Sequence, residues 1–439
     1  MVQYLPTTEC SCGKVHTAAI EEVIIESGAL NKLPACIQKY NAKKVFLLAD
    51  CNTYAAAGEQ VCRILKSNAI PCSSYVFDNA NLEPDEHAVG SAVMHFDKSC
   101  DLLVAVGSGV INDIGKILSG VVRIPYIIVA TAPSMDGYAS ATSSMSMDGL
   151  KVSLPSRCAD IIIGDIDILK NAPMRMLQAG LGDMLAKYVS ICEWRIAHVI
   201  TGEYYCEQVA QLIRDALKKC TDNAEGLLNR DETAVKAVFE GLVIGGIAMA
   251  YAGVSRPASG VEHYFSHIWD MRGLEFGTGV NLHGIQCAIG TLYAAKLYDF
   301  IRTQTPDRTS ALRYAAAFDR ESWNAQLHRF LGKGAEAMIR QEEKEKKYDL
   351  TRHEQRLDVI IRNWDQILTI INEELPSARQ IGQILETIGV PAAPSASGLD
   401  DTILPEIFES TKDIRDKYVL SRLAWDLGLM EPMKALLKK

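Results

Sequence analysis

The chain has 439 residues, 48% hydrophobic and 23% charged, which is enough for two or three domains and a large buried core. Its net charge of −9 argues against a general nucleic-acid binder, which needs a basic surface to displace counterions, but leaves room for one phosphate held in a pocket. Residues 1–8 show no basic region followed by an apolar run, so no secretory signal is expected, and the longest uncharged apolar stretch, residues 241–254, is too short for a membrane span and reads as a buried core helix.

In chain order, the first third alternates strand and helix signals. Cys10, Cys12 and His16 form a local group of soft metal ligands. They are three where a closed zinc site takes about four, which favours incidental side chains over a zinc or redox site. The remaining cysteines follow no disulfide spacing and read as buried thiols of a cytoplasmic protein. Residues 44–49 (KVFLLA), 74–77, 101–106 (DLLVAV) and 124–130 (IPYIIVA) are short apolar runs, as expected of strands buried on both faces of a parallel sheet. Residues 59–67 and 112–120 fit crossover helices, and residues 151–154 and 160–163 are expected to add peripheral strands or a hairpin. After about residue 166 strand-like runs largely disappear. Residues 180–200, 203–229, 232–252 and 284–298 carry helical periodicity, and the charge run at 340–347 (RQEEKEKK) reads as a solvated helix face or loop. The expected fold is a Rossmann-like α/β domain over residues 1–165 and an all-α domain over residues 166–439.

Two constellations carry chemistry. Val106-Gly107-Ser108-Gly109-Val110-Ile111-Asn112-Asp113 follows a strand and opens a helix. Glycines there let the backbone approach a ligand, and helix N–H groups can hold a pyrophosphate. The spacing is neither GxGxxG nor a Walker loop, so a plain tight turn explains it about as well. Asp50, at the end of an apolar run, can accept from an adenosine ribose or cap a helix. Thr131-Ala132-Pro133-Ser134 also follows a strand end and offers two hydroxyls.

The second constellation is metal-like. Gly180-Leu181-Gly182-Asp183 is expected to put a carboxylate at a helix start. His263 and His267, four apart, share one helix face, and Asn281-Leu282-His283-Gly284 places another histidine at a helix start. One carboxylate with two or three imidazoles suits Zn²⁺, Ni²⁺ or Fe²⁺, while the lack of HExxH argues against a zincin protease. Each histidine taken singly reads better as a satisfied polar side chain, whereas three within 21 residues, set among glycines, balance the two readings.

These segments together resemble the superfamily of iron-containing alcohol dehydrogenases and dehydroquinate synthases. Thr131 through Ser140 (TAPSMDGYAS) and Ser255 through His263 (SRPASGVEH) resemble, more narrowly, the bacterial type of sn-glycerol-1-phosphate dehydrogenases, over roughly residues 15–300. The resemblance implies a dehydroquinate synthase-like fold, a homodimer, NAD or NADP, and one divalent metal, zinc or nickel. It implies Asp183, His263 and His283 as metal ligands, and Asp183 and His267 as catalytic groups. Asp136, Asp183 and His267 would contact a small phosphorylated polyol or ketone. Asp50, Gly107, Ser108, Gly109, Val110, Ile111, Thr131, Ala132, Pro133, Ser134 and Ser140 would hold the dinucleotide. Lys151, Lys187 and Arg256 are candidates for the substrate phosphate, and the sequence does not choose among them. A glycerol dehydrogenase, a dehydroquinate-synthase-like cyclase and a catalytically silent nucleotide- or metal-binding protein are the competing readings.

Overall fold

The computed structural model describes residues 4–5, 8–147 and 150–438; residues 1–3, 6 and 7, part of the segment read for a secretory signal, lie outside them. Six parallel strands build the central sheet: β1 (Glu22–Glu26), β2 (Val45–Asp50), β3 (Cys72–Phe77), β4 (Leu102–Gly107), β5 (Tyr126–Ala130) and β8 (Ile161–Asp165), in the spatial order β1-β8-β5-β4-β2-β3. All residues of β2, β4, β5 and β8 are buried, as continuous apolar strands require when both faces are covered. The edge strands β1 and β3 are only partly buried. From β2 the chain runs outward to β3, then returns to place β4 on the other side of β2 and continues to β5 and β8. The strand order therefore reverses between β2 and β4, where open α/β sheets form a crevice at the carboxyl ends of their strands.

Most expected elements are found. Helix α1 (Glu59–Ser67) and helix α2 (Gly109–Val122) are the crossovers. Residues 151–154 fall in β7 (Leu150–Pro155), which pairs antiparallel with β6 (Thr142–Met147) apart from the main sheet. The strand expected at 160–163 is not peripheral. It is β8, hydrogen-bonded between β1 and β5, because its Ile161-Ile162-Ile163 run can be buried on both faces. Strand β1 escaped notice because glutamates bound a short apolar run at the edge of the sheet. The run at 340–347 is not wholly solvated, since it lies mostly in the helix Gly334–Glu345 and its Glu342 is buried against Arg320 at 2.7 Å.

The chain divides into two compact units, Met1–Met184 with Gln208–Val254, and Leu185–Glu207 with Ser255–Lys439. This differs from a division at residue 165, because helices α4 (Glu207–Asp222, from Gln208 on) and α5 (Glu232–Ala252) belong to the same unit as the sheet. Small residues allow it. A Cβ on Gly164 would lie 2.2 Å from the Phe239 ring, and one on Gly246 2.7 Å from Ala139 Cβ. Helix α5 is long and apolar enough to cross a membrane by length and composition, yet 67% of its most apolar stretch is buried in the protein.

Candidate active site

The nucleotide-like residues meet at neighbouring strand ends. Asp50 closes β2, Gly107 closes β4 and Thr131 follows β5, and the Thr131 N–H donates to Gly107 O at 3.1 Å. A side chain at Gly107 would come within 2.4 Å of Ile111 Cβ, so the turn into α2 needs glycine. Ser108 at the N-cap of α2 makes no side-chain cap, which leaves the first-turn N–H groups of a 14-residue helix for another acceptor. Thr131 and Ser134 are nearly buried, and the Tyr138 hydroxyl donates to Ala132 O at 2.7 Å, fixing their loop. Asp50 does cap a turn, accepting from the Thr53 N–H at 2.9 Å through Oδ1, and its Oδ2 takes no part in that cap.

Ser140 is drawn into a different task. Its Oγ lies 3.2 Å from Lys116 Nζ, a fully buried ammonium that also donates to Gly137 O and Thr142 O. The hydroxyl belongs to a polar web that holds the loop after β5, and no motif marks Lys116 as its centre.

Asp183 lies well inside helix α3 (Met174–Thr201), not at a helix start. The helix begins earlier because Pro173 precedes it, and Gly180 lets it approach the loop after β5. A Cβ on Gly180 would sit 1.8 Å from Pro133 O. Asp183 is fully buried and accepts from the Asp136 N–H at 2.9 Å. Helix α6 (Val261–Phe276) carries His263 and His267, and His283 is the first residue of α7 (His283–Ile301), as expected. The ligand atoms of His263, His283 and Cys287 all lie within 4.8 Å of one another. Cys287 was not foreseen, although it stands four residues after His283 on the same helix face. Burial alone would push its thiol up, but the imidazoles of His263 and His283 reverse this and hold it below the usual value. His267 is outside that group, its ring 6.5 Å from His263 and 6.2 Å from His283. Burial, then the charge of Arg415, keep it well below the ordinary histidine pKa.

A carboxylate pair supports the site from behind. His263 donates through Nδ1 to Glu262 Oε1 at 2.8 Å, which sets the tautomer and orientation of the ring. Glu262 also accepts from the Gly260 N–H, and Glu193 accepts from the Val261 and Leu420 N–H groups. Burial and the neighbouring Glu262 push the Glu193 carboxyl up to about 8. Gly260 makes room for both, since a Cβ there would lie 2.5 Å from Glu193 Oε2.

Two of the three phosphate candidates are already engaged. Arg256 is buried, bridging Glu203 Oε2 at 2.5 Å and Tyr418 O at 2.9 Å. Lys187 is fully buried and donates to Ala258 O at 3.1 Å. Lys151 lies on β7. The cations near the histidines come instead from the C-terminal region: Arg415, exposed and felt by His267, and Lys417, which donates to Ser255 O and Ser259 O. No motif marked them.

Residues 24–173 match the family described as iron-containing alcohol dehydrogenase. The chain is 28% identical over 417 residues to a glycerol-1-phosphate dehydrogenase [NAD(P)+] of Halalkalibacterium halodurans, covering 94% of each. It is 32% identical over 287 residues to a protein of the same name from Geobacillus stearothermophilus, covering 64% of this chain and 71% of that one. Its fold is similar to that of glycerol dehydrogenase from Schizosaccharomyces pombe, with a TM-score of 0.61 at 15% identity over 98% of this chain and 93% of that one. The chain is therefore an enzyme, a member of the glycerol-1-phosphate dehydrogenase family within the iron-containing alcohol dehydrogenases.

Proposed function

We propose that the protein interconverts sn-glycerol 1-phosphate and dihydroxyacetone phosphate with NAD or NADP. The observation that carries the reading is the convergence of His263, His283 and Cys287, with the names of the relatives supplying the substrate. His263 and His283 fit a divalent cation, with Asp183 as the third ligand that the family resemblance implies, and the adjacent Cys287 sulfur favours zinc. Such a cation supplies Lewis-acid stabilisation of negative charge on the C2 oxygen, and the nicotinamide supplies the hydride chemistry.

The chain's own residues do the rest. The uncapped N-terminus of α2 and the close turn at Gly107 hold the pyrophosphate, and Thr131 and Ser134 line the same loops. Asp183, buried and anchored by the Asp136 N–H, stays oriented. Asp136 and His267 contact the substrate, and His267, kept neutral, accepts the C2 hydroxyl proton directly or through water. Arg415 receives the phosphate. An NADH absorbance assay with dihydroxyacetone phosphate and with free dihydroxyacetone tests the reading. Net NADH consumption separates it from a cyclase, which would show none.

Two further outcomes are expected. Asp50→Gly should narrow the preference for NAD over NADP, mainly by lowering the KM for NADP, because the carboxylate accepts from a ribose hydroxyl and repels a 2′-phosphate. An unchanged ratio would show that another residue reads the ribose. Glu262→Gln should weaken the active-site metal by roughly 10–100-fold, the usual cost of losing a partner that orients a histidine ligand. Chelator competition measures it, and an unaltered affinity would mean that Glu262 does not set the His263 tautomer.

A further inference from the structure

We infer that Cys287 is a direct ligand of the active-site metal, its sulfur bonding the ion beside His263 and His283. The inference rests on the metal site proposed above and adds a donor that the family resemblance does not assign. All three donors stand on two helices of one compact unit, His263 on α6 and both His283 and Cys287 on α7. Their ligand atoms lie within 4.8 Å of one another. A spacing of four puts Cys287 on the same face of α7 as His283. Gly290, the next turn of that helix, lets α7 close on α6: a Cβ there would lie 2.6 Å from Glu262 O, the carbonyl next to His263.

The distances suit a shared cation. A tetrahedral Zn²⁺ with bonds of roughly 2.3 Å to sulfur and 2.0–2.1 Å to nitrogen places two such donors about 3.5 Å apart. Cys287 Sγ lies 3.5 Å from His283 Nε2 and 3.9 Å from Nδ1, so the ring turns Nε2 toward the sulfur. The His263 and His283 rings are 5.0 Å apart. A thiol has one proton and can serve one imidazole, whereas two imidazoles face this fully buried sulfur. One cation satisfies all three. Both rings are also held from behind. His263 Nδ1 donates to Glu262 Oε1, and His283 Nδ1 lies 3.1 Å from Ser266 Oγ. Ser266 Oγ accepts in turn from Gln286 Nε2 at 3.0 Å, which also donates to Asp270 Oδ1 at 2.8 Å. Partners of this kind orient ligating histidines. Two imidazoles and one thiolate supply the three protein donors of an open, catalytic zinc site; with Asp183 the count is four, and zinc can expand to five. A thiolate among them biases the site toward zinc over manganese or magnesium. On binding, the S–H bond breaks, its proton passes to solvent, the sulfur–metal bond forms, and no oxidation state changes.

The test uses the full-length protein, stripped of metal and reloaded with one equivalent of Co²⁺. The wild-type spectrum should carry a thiolate-to-cobalt charge-transfer band in the near ultraviolet and ligand-field bands in the visible. Cys287→Ser should lose the first and keep the second, and His283→Ala should lose both. The comparison with Cys287→Ser keeps cobalt held by any other cysteine from being mistaken for this site. In chelator competition, Cys287→Ser should lower the preference for zinc over manganese by about tenfold or more, since a hydroxyl is a harder donor than a thiolate. X-ray absorption of the wild-type protein loaded with one equivalent of zinc should find a sulfur neighbour at about 2.3 Å. A charge-transfer band that survives Cys287→Ser, or a zinc shell of nitrogen and oxygen alone, would overturn the inference and leave the metal site standing. Cobalt bands indifferent to His283→Ala would overturn the metal site itself, and the inference with it. The wild-type zinc measurement decides the matter even where a variant fails to fold.

Discussion

Dihydroxyacetone phosphate is expected to be reduced with a kcat/KM several orders of magnitude above that for free dihydroxyacetone. A pocket built for a dianion leaves its donors unpaired when the phosphate is missing, and each lost charge-assisted hydrogen bond costs roughly 1.5–3 kcal/mol. Binding energy from this remote group also positions the reacting carbon, so turnover should fall along with affinity. Arg415→Ala should raise the KM for the phosphorylated ketone and leave the slow reaction with the free ketone nearly unchanged, which separates phosphate recognition from damage to the site. The product should be sn-glycerol 1-phosphate. A product consumed by an enzyme specific for sn-glycerol 3-phosphate would refute the stereochemistry and leave the rest standing. Equal rates with both ketones would instead identify a glycerol-dehydrogenase-like enzyme.

His283→Ala should abolish turnover and remove one equivalent of divalent metal. Its imidazole is one of the two nitrogen donors that stand with Cys287, the other being His263. Losing a ligand outright costs more than the 10–100-fold expected from losing its orienting partner. Metal analysis of the purified variant reads the first half and the NADH assay the second. His267→Ala should keep the metal and lose turnover, because its ring stands apart from the group, 6.2 Å from His283. Full activity with stoichiometric metal in His283→Ala would sink the ligand assignment. Departure of the metal from His267→Ala would exchange the roles of the two histidines.

The central strands were legible because burial on both faces leaves a continuous apolar run, as in residues 101–106 and 124–130, that needs no tertiary context to read. Helix α1 matched its expected bounds for a similar reason, its polar and apolar residues sorting cleanly by helical period. Asp183, His263 and His283 were legible through resemblance and through glycines that mark close approach, and within the helical part the ligand atoms of His263 and His283 lie together. Strand order was not legible. Nothing local in Ile161–Ile163 says that β8 pairs with β1 and β5 and not with a hairpin partner, since sheet position is decided by what covers both faces. Partners distant along the chain were equally hidden. Cys287, the Glu193–Glu262 pair, Arg415 and the Lys116 web have no signature in spacing. The sequence by itself determined which residue types were on hand for metal and phosphate chemistry and which segments would be strands or helices. Only the tertiary structure decided which of them meet, because a ligand set is defined by distances of a few ångströms that chain separation does not encode.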